Sequence, residues 1–380
     1  MKKYVTLGEV SKLNMGQSPD SSTYNDNGEG IPFYQGNADF GDIHPKTAHW
    51  CTAPTKIADD GDILISVRAP IGALNIATEQ CCIGRGLAAI TVDSKIVSKD
   101  YIWYMLKSKV TMLQAMGTGS TFKAINKNVL NDMRFLLPTF EEQDEIALNL
   151  SKIDTIIRIC TVLMNRLDIL VKSRFVEMFG DCRTNPKGWN TIELGNIAYV
   201  GSSKRVFVEE LVDSGIPFYR GTEVGALAEG KMITPELFIS QEHYEELIEA
   251  TGKPIKGDLL MPSICPDGRI WVVDTDKQFY FKDGRVLWVH NINKQFDSIF
   301  LLYTLKDRII TDYQSIASGT TFAELKIFAL KQCKVFEVPI EIQRNFSSFV
   351  KQTDKSKLAV KQVLEKAEML KKALMQKYFG

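Results

Sequence analysis

The chain has 380 residues, 44% hydrophobic and 24% charged, with 46 basic and 46 acidic residues that cancel. That length suits two or three domains, the composition excludes a disordered chain, and no apolar run approaches the roughly 20 residues that span a bilayer. The neutral balance argues against nucleic-acid binding by bulk charge, so any such affinity rests on local basic patches or on a partner.

The N-terminal run MKKYVTLGEV is basic, but no apolar stretch follows it, so no secretory signal is expected. The seven cysteines (Cys51, Cys81, Cys82, Cys160, Cys182, Cys265 and Cys333) form no CxxC pair, and the histidines form no HExxH. Free thiols, no metal site and a cytoplasmic location are the expectation. Residues 1–139 read as a mixed α/β domain. Asp62–Val67 and Gly72–Ala77 have the short β-rich pattern of strands, and Tyr101–Lys107 has helical spacing.

Residues 140–180 change character. From Glu141 to Phe179 there is no proline or glycine, and Ile153, Ile156, Cys160, Leu163, Leu167 and Leu170 alternate at three and four residues. That is the seam of a coiled coil. Residues 181–338 return to the mixed pattern, with strands at Leu259–Met261 and Ile270–Val273 and a helix over Ile299–Leu305. Residues 339–380 form a second long helix. Its seam is Phe349, Val360, Val363, Ala367, Leu370 and Leu374, with Thr353 and Ser356 as polar members. Each helix would run about 38 residues, roughly 57 Å.

The two halves repeat each other. Ile31-Pro-Phe-Tyr34 returns as Ile216-Pro-Phe-Tyr219, Gly61-Asp-Ile-Leu64 as Gly257-Asp-Leu-Leu260, and Gly119-Ser-Thr-Phe122 as Gly319-Thr-Thr-Phe322. Glu141-Glu-Gln143 returns as Glu341-Ile-Gln343, and Met178-Phe-Gly180 as Tyr378-Phe-Gly380. The offset drifts through the first part of each repeat and then holds at 200, as loops on a scaffold followed by a rigid element would give. The expected fold is a tandem pair of α/β (α+β) domains plus two long helices. If the repeats obey a pseudo-two-fold, the helices pair as an antiparallel coiled coil.

The ordered set Gly61–Ser66, Gly119–Phe122, Phe135–Pro138 and Glu141–Gln143, then a long helix and the whole set again, resembles type I restriction-modification specificity subunits. No single motif is specific; the duplicated order is. The resemblance covers nearly the whole chain and implies two target-recognition domains, each reading one half of a split site in double-stranded DNA. It implies helical spacers that dock two modification (methyltransferase) subunits carrying S-adenosylmethionine. It also implies restriction subunits that use ATP and magnesium.

Catalytic constellations are missing: there is no P-loop, no NPPY or DPPY tetrapeptide and no glycine-rich cofactor loop. Glu324-Leu-Lys326 has the form of a nuclease Glu-x-Lys, but its counterpart Ala124-Ile-Asn126 does not. A non-catalytic subunit is expected, and a purely structural scaffold for two partner proteins is the alternative.

Candidates for reading DNA are polar turn residues. Arg68 and Arg269 occupy matching turns, and are either base readers or solvated arginines. Gln35 and Asn37 follow one Phe-Tyr pair where Arg220 and Thr222 follow the other, as two half-site specificities or simple drift would give. Arg85 and Arg285 follow glycines, and either face DNA or pair with carboxylates. Ser120, Thr121 and Lys123, with Thr320, Thr321 and Lys326, suit phosphate contacts, while Ser120 or Thr121 suits helix capping equally.

Overall fold

In the computed structural model the described residues are 3–119, 123–318 and 323–380. They divide into two compact units: Met1–Val162 with Lys361–Gly380, and Leu163–Val360. This division cuts across the sequence boundaries at 139, 180 and 338, because each long helix gives its first part to one unit and its last part to the other. The helices are Phe140–Phe179 and Ile340–Phe379, each of 40 residues.

In the first unit the central sheet has four strands in the order Ser11–Met15, Leu87–Val92, Ile63–Ser66 and Leu74–Ile76, all antiparallel. A second sheet holds Tyr24–Asn25, Trp50–Cys51, Ile31–Tyr34, Cys81–Ile83 and Ile57–Ala58. The central strands are buried on both faces. Ile63 and Ile65 join a core with the helix residues Tyr101, Ile102 and Met105, whereas Leu64 packs with Tyr34, Ile83 and Leu87. The two-residue period of a strand thus divides one run of apolar residues between two cores.

The second unit repeats this plan: Tyr199–Gly201, Val286–His290, Leu259–Pro262 and Trp271–Val272 form its central sheet. Leu259 and Met261 face a core with Phe300 and Leu301, and Leu260 faces Phe281 and Trp288. The short edge strand Ile57–Ala58 has no counterpart among the described residues here, where the helix Gln241–Thr251 follows the strand Phe238–Ile239.

The repeated motifs are structural. In Gly-Asp-Ile/Leu-Leu the glycines have φ of +81° and +95°, and the aspartates close the turn. Asp62 accepts the Asp59 N–H at 2.9 Å, and Asp258 accepts the Ile255 N–H at 3.0 Å. Asp258 also accepts the Trp288 indole N–H at 2.9 Å, and burial pushes its carboxyl up to about 6 despite these donors. The Glu-x-Gln motif pins each long helix to its domain. Gln143 accepts the Ser98 N–H at 2.7 Å and donates to the Pro138 carbonyl at 3.0 Å. Gln343 accepts the Asp297 N–H at 2.8 Å and donates to the carbonyls of Gln295 (3.0 Å) and Val338 (2.7 Å).

Within each unit the helix segments run antiparallel. In the first, Asp154 meets Lys371 at 2.6 Å, and Ile146 and Leu150 share a core with Phe379. In the second, Asp168 meets Lys357 while Phe175 lies 5.5 Å from Phe346. The final Phe-Gly motif is also explained: Phe379 lies 5.2 Å from Tyr101 in the first unit, and Phe179 lies 4.8 Å from Phe300 in the second. Each domain's core is closed by the end of the other repeat's helix.

The seam keeps its three-four spacing but not the expected phase. Ile153, Cys160 and Leu167 are buried or half-buried as expected, and their companions are Ile157, Met164 and Val171. Ile156, Leu163 and Leu170 are exposed instead. On the second helix Phe349, Thr353, Val360, Ala367 and Leu374 are at least half-buried, joined by Lys357, Leu364 and Lys371. Val363, Leu370 and Ser356 point to solvent. Thr353 sits in the seam because its hydroxyl donates to the Phe349 carbonyl at 2.9 Å, and Lys357 and Lys371 because each has an aspartate partner.

Gln343→Ala should lower stability by about 2–4 kcal/mol in chemical denaturation, because it leaves the Asp297 N–H and two carbonyls without their partner. For Asp258, the folded form holds a proton that an ordinary carboxyl of pKa 3.8 would release. Its stabilisation is full below about pH 4 and is lost as pH rises through 6. Asp258→Asn is expected to flatten stability between pH 4 and 6 and to gain about 2 kcal/mol at pH 7; an undiminished slope across that window would refute the assignment.

Candidate nucleic-acid interface

In the first unit three segments leave one end of the sheets together. Strand Ile31–Tyr34 runs parallel to Cys81–Ile83, with Tyr34 opposite Ile83. Parallel strands end on the same side, so Gln35–Asp39 and Gly84–Gly86 emerge side by side. The Gly84 N–H donates to the Tyr34 carbonyl at 2.8 Å and the Gly86 N–H to the Gln35 carbonyl at 3.1 Å. A Cβ on Gly86 would lie 2.4 Å from that Gln35 oxygen, so the crossing requires glycine. The third segment begins at Val67, whose N–H donates to the Gly86 carbonyl at 2.9 Å and which leads to Arg68.

These segments enclose a cavity of about 550 Å³ lined by Gln35, Asn37, Asp39, Arg68 and Arg85 among others. The Asp39 carboxylate accepts the N–H groups of Gln35 (2.7 Å) and Gly36 (3.2 Å), which holds the first segment in a tight turn. Among the described residues neither Arg68 nor Arg85 pairs with a carboxylate. The cavity therefore combines two cationic donors with two amide side chains.

The second unit builds its cavity at the same place. Ile216–Tyr219 runs parallel to Tyr280–Phe281, and Tyr219 lies opposite Phe281. The Lys282 N–H donates to the Tyr219 carbonyl at 2.9 Å, and the Ser263 N–H donates to the Arg285 carbonyl at 2.9 Å. The cavity, about 730 Å³, is lined by Arg220, Thr222, Glu223, Glu236, Arg269 and Arg285 among others. Where the first unit has the single turn Asn37–Asp39, this one has the eight-residue helix Gly221–Ala228.

Its charges are paired. Arg220 donates to Glu223 from Nε at 3.2 Å and from Nη2 at 2.5 Å, and Nη2 also donates to Glu236 at 2.8 Å. Burial works against the charge of Glu223, but donors from Arg220 and Thr222 hold its carboxyl down to about 2. Arg269 pairs with Asp267 at 2.8 Å and with Glu229 at 3.7 Å, and Arg285 pairs with Glu324. Such a surface offers donors and acceptors side by side while cancelling most of its field.

Eight residues singled out in the sequence thus fall into two matching groups: Gln35, Asn37, Arg68 and Arg85, and Arg220, Thr222, Arg269 and Arg285. Lys123 stands next to the Arg68 turn, where its carbonyl accepts the Ala69 N–H at 3.3 Å, and Lys326 approaches Glu324 at 3.8 Å. Ser120, Thr121, Thr320 and Thr321 lie outside the described residues. Glu324 is engaged by Arg285 and Lys326, which leaves it a partner in an ion cluster rather than half of a nuclease pair. Asp39 and Glu236 were not singled out. Asp39 follows Gly36 by three residues, a capping spacing that the sequence displays; Glu236 carries no such signal, because only the fold brings it to Arg220.

Each copy of the duplicated α+β domain thus carries one polar, arginine-bearing cavity at equivalent strand ends. Residues 2–167 and 186–369 match the model of the type I restriction modification DNA specificity domain, and the chain belongs to that family. Over 325 residues it is 25% identical to the type I restriction enzyme MjaIX specificity subunit of Methanocaldococcus jannaschii, covering 78% of this chain and 71% of the relative. Over 148 residues it is 47% identical to a protein described as the MjaX specificity subunit of the same organism; that match spans 39% of this chain and 35% of the relative. In fold it is similar to the S subunit of a type I restriction-modification system from M. genitalium, with a TM-score of 0.63 and 17% identity over 100% of this chain and 96% of that one. Among the described residues no helix is long and apolar enough to cross a membrane.

Proposed function

We propose that this chain is the non-catalytic DNA-reading subunit of a type I restriction-modification complex, with one half-site of a split target read at each cavity. The observation that carries this is the pair of cavities. They stand at equivalent strand ends of two repeats in a member of this family, with one backbone frame and different side chains. Two unlike half-sites need that combination, since frame sets register and side chains set the base read.

The partners in this reading are two modification subunits, which bring S-adenosylmethionine and methylate adenine, and restriction subunits that use ATP and magnesium. The helices support protein docking: the first unit leaves Ile156, Ile159, Met369 and Leu370 exposed, and the second Leu163, Ile169, Leu170 and Leu358. Large apolar side chains left in solvent along a helix suit a partner surface.

The test is the host's genome-wide adenine methylation with and without the chain. Loss of one split motif on deletion is expected; an unaltered methylome would leave the scaffold reading. Helix length is expected to set the gap between half-sites. Adding seven residues to both helices keeps the seam in phase and lengthens each by about 10 Å, or about three base pairs at 3.4 Å. The methylated motif should then carry a correspondingly wider gap, and an unchanged gap would refute the spacer role.

A further inference from the structure

The two cavities differ in one respect that the duplication does not require. At the position after the Phe-Tyr pair, the first unit has an amide, Gln35, and the second a guanidinium, Arg220, clamped by carboxylates. Arg220 uses one edge, Nε with Nη2, to bind Glu223 side-on. Glu223 is held in turn by the Arg220 backbone N–H at 2.9 Å and the Thr222 hydroxyl at 2.9 Å, and its side chain is only 12% exposed. This edge is fixed.

Among the described residues the other edge, Nη1 with the second hydrogen of Nη2, meets only Glu236, at 2.8 Å and from a side chain 71% exposed. An ion pair so exposed contributes little and exchanges readily. The end-on edge of a planar guanidinium is a fork of two N–H donors, and the base edge that matches a donor fork is guanine, with O6 and N7 both accepting. Adenine and cytosine each present an amino donor to such a fork. A phosphate is disfavoured here, because Glu223 and Glu236 would face its charge at short range. A displaced Glu236 carboxylate has a use in the same base pair: cytosine offers its N4 amino group as a donor.

Resting on the functional reading above, we infer that the cavity of the second unit reads a G·C base pair. Arg220 is the guanine-reading donor, Glu223 the residue that positions it, and Glu236 the acceptor for cytosine. Asp39, the counterpart of Glu223 in the first unit, accepts from the backbone N–H groups of Gln35 and Gly36 and, among the described residues, positions no arginine. The two half-sites are therefore read by different chemistry on one frame.

The experiment is adenine-methylation sequencing of the host carrying the full chain, with R220Q, E223Q or E236Q in place of the wild type. R220Q is expected to weaken discrimination at one G·C position of one half-site roughly ten- to hundredfold, leaving the other half-site intact. E223Q should relax the same position, which a role confined to folding would not do, and E236Q should relax it to a smaller degree. A uniform fall in methylation with the motif unchanged would make Arg220 a phosphate or structural residue and overturn the inference, as would relaxation in both half-sites. If R220Q abolishes methylation, E236Q decides, since its exposed side chain holds no core together: an unchanged motif overturns the assignment. Failure of the functional reading is separate, because then deleting the chain itself alters no motif.

Discussion

The central strands of each unit carry packing on both of their faces, and one of them leads directly into the cavity. In Ile63–Ser66 every residue is buried, and in Leu259–Pro262 the same holds. Odd-numbered members press on the core shared with the long helices, and Leu64 or Leu260 presses on the smaller core beneath the cavity. A strand so enclosed cannot slip by one residue without exchanging its two faces. The same strand also feeds the segment that bears Arg68 or Arg269, so the register that joins helix to sheet also fixes where those arginines stand.

The architecture was legible where information lay in order and spacing. The repeated tetrapeptides gave the duplication, and the proline-free runs gave both helices within a residue or two. The seam phase was not legible, because the helices carry a surplus of apolar residues. Ile156, Leu163 and Leu170 satisfy the three-four rule as well as Ile157, Met164 and Val171, and only the partner's position chooses between them. The polar members Lys357 and Lys371 hid the correct phase further, since their aspartate partners lie far away in sequence. Burial patterns read from one helix alone lack this term.

The cavity residues were legible as types in turns, and their grouping was not. Gln35, Arg68 and Arg85 come from three separate loops, and a parallel strand pair with no local sequence signal brings them together. The motifs that mark the repeat are joinery. Gly-Asp closes a turn, Glu-x-Gln ties a helix to a domain, and the terminal Phe-Gly places a ring in a core. Motifs that repeat in both halves are the ones both halves need for folding, whereas the residues that differ at matched positions are free to carry selectivity.

The placement of Phe379 bears on how the molecule is made. The second unit is contiguous, from Leu163 to Val360, and has all its residues as soon as that stretch has emerged. The first unit lacks Lys361–Gly380 until the intervening residues have been synthesised, roughly 10–40 s at ordinary elongation rates. During that interval Tyr101 has no Phe379 against it and Lys109 has no Phe379 carbonyl to bond. The domain that is translated first is thus the one that finishes last, and it presents an unfilled aromatic socket while it waits.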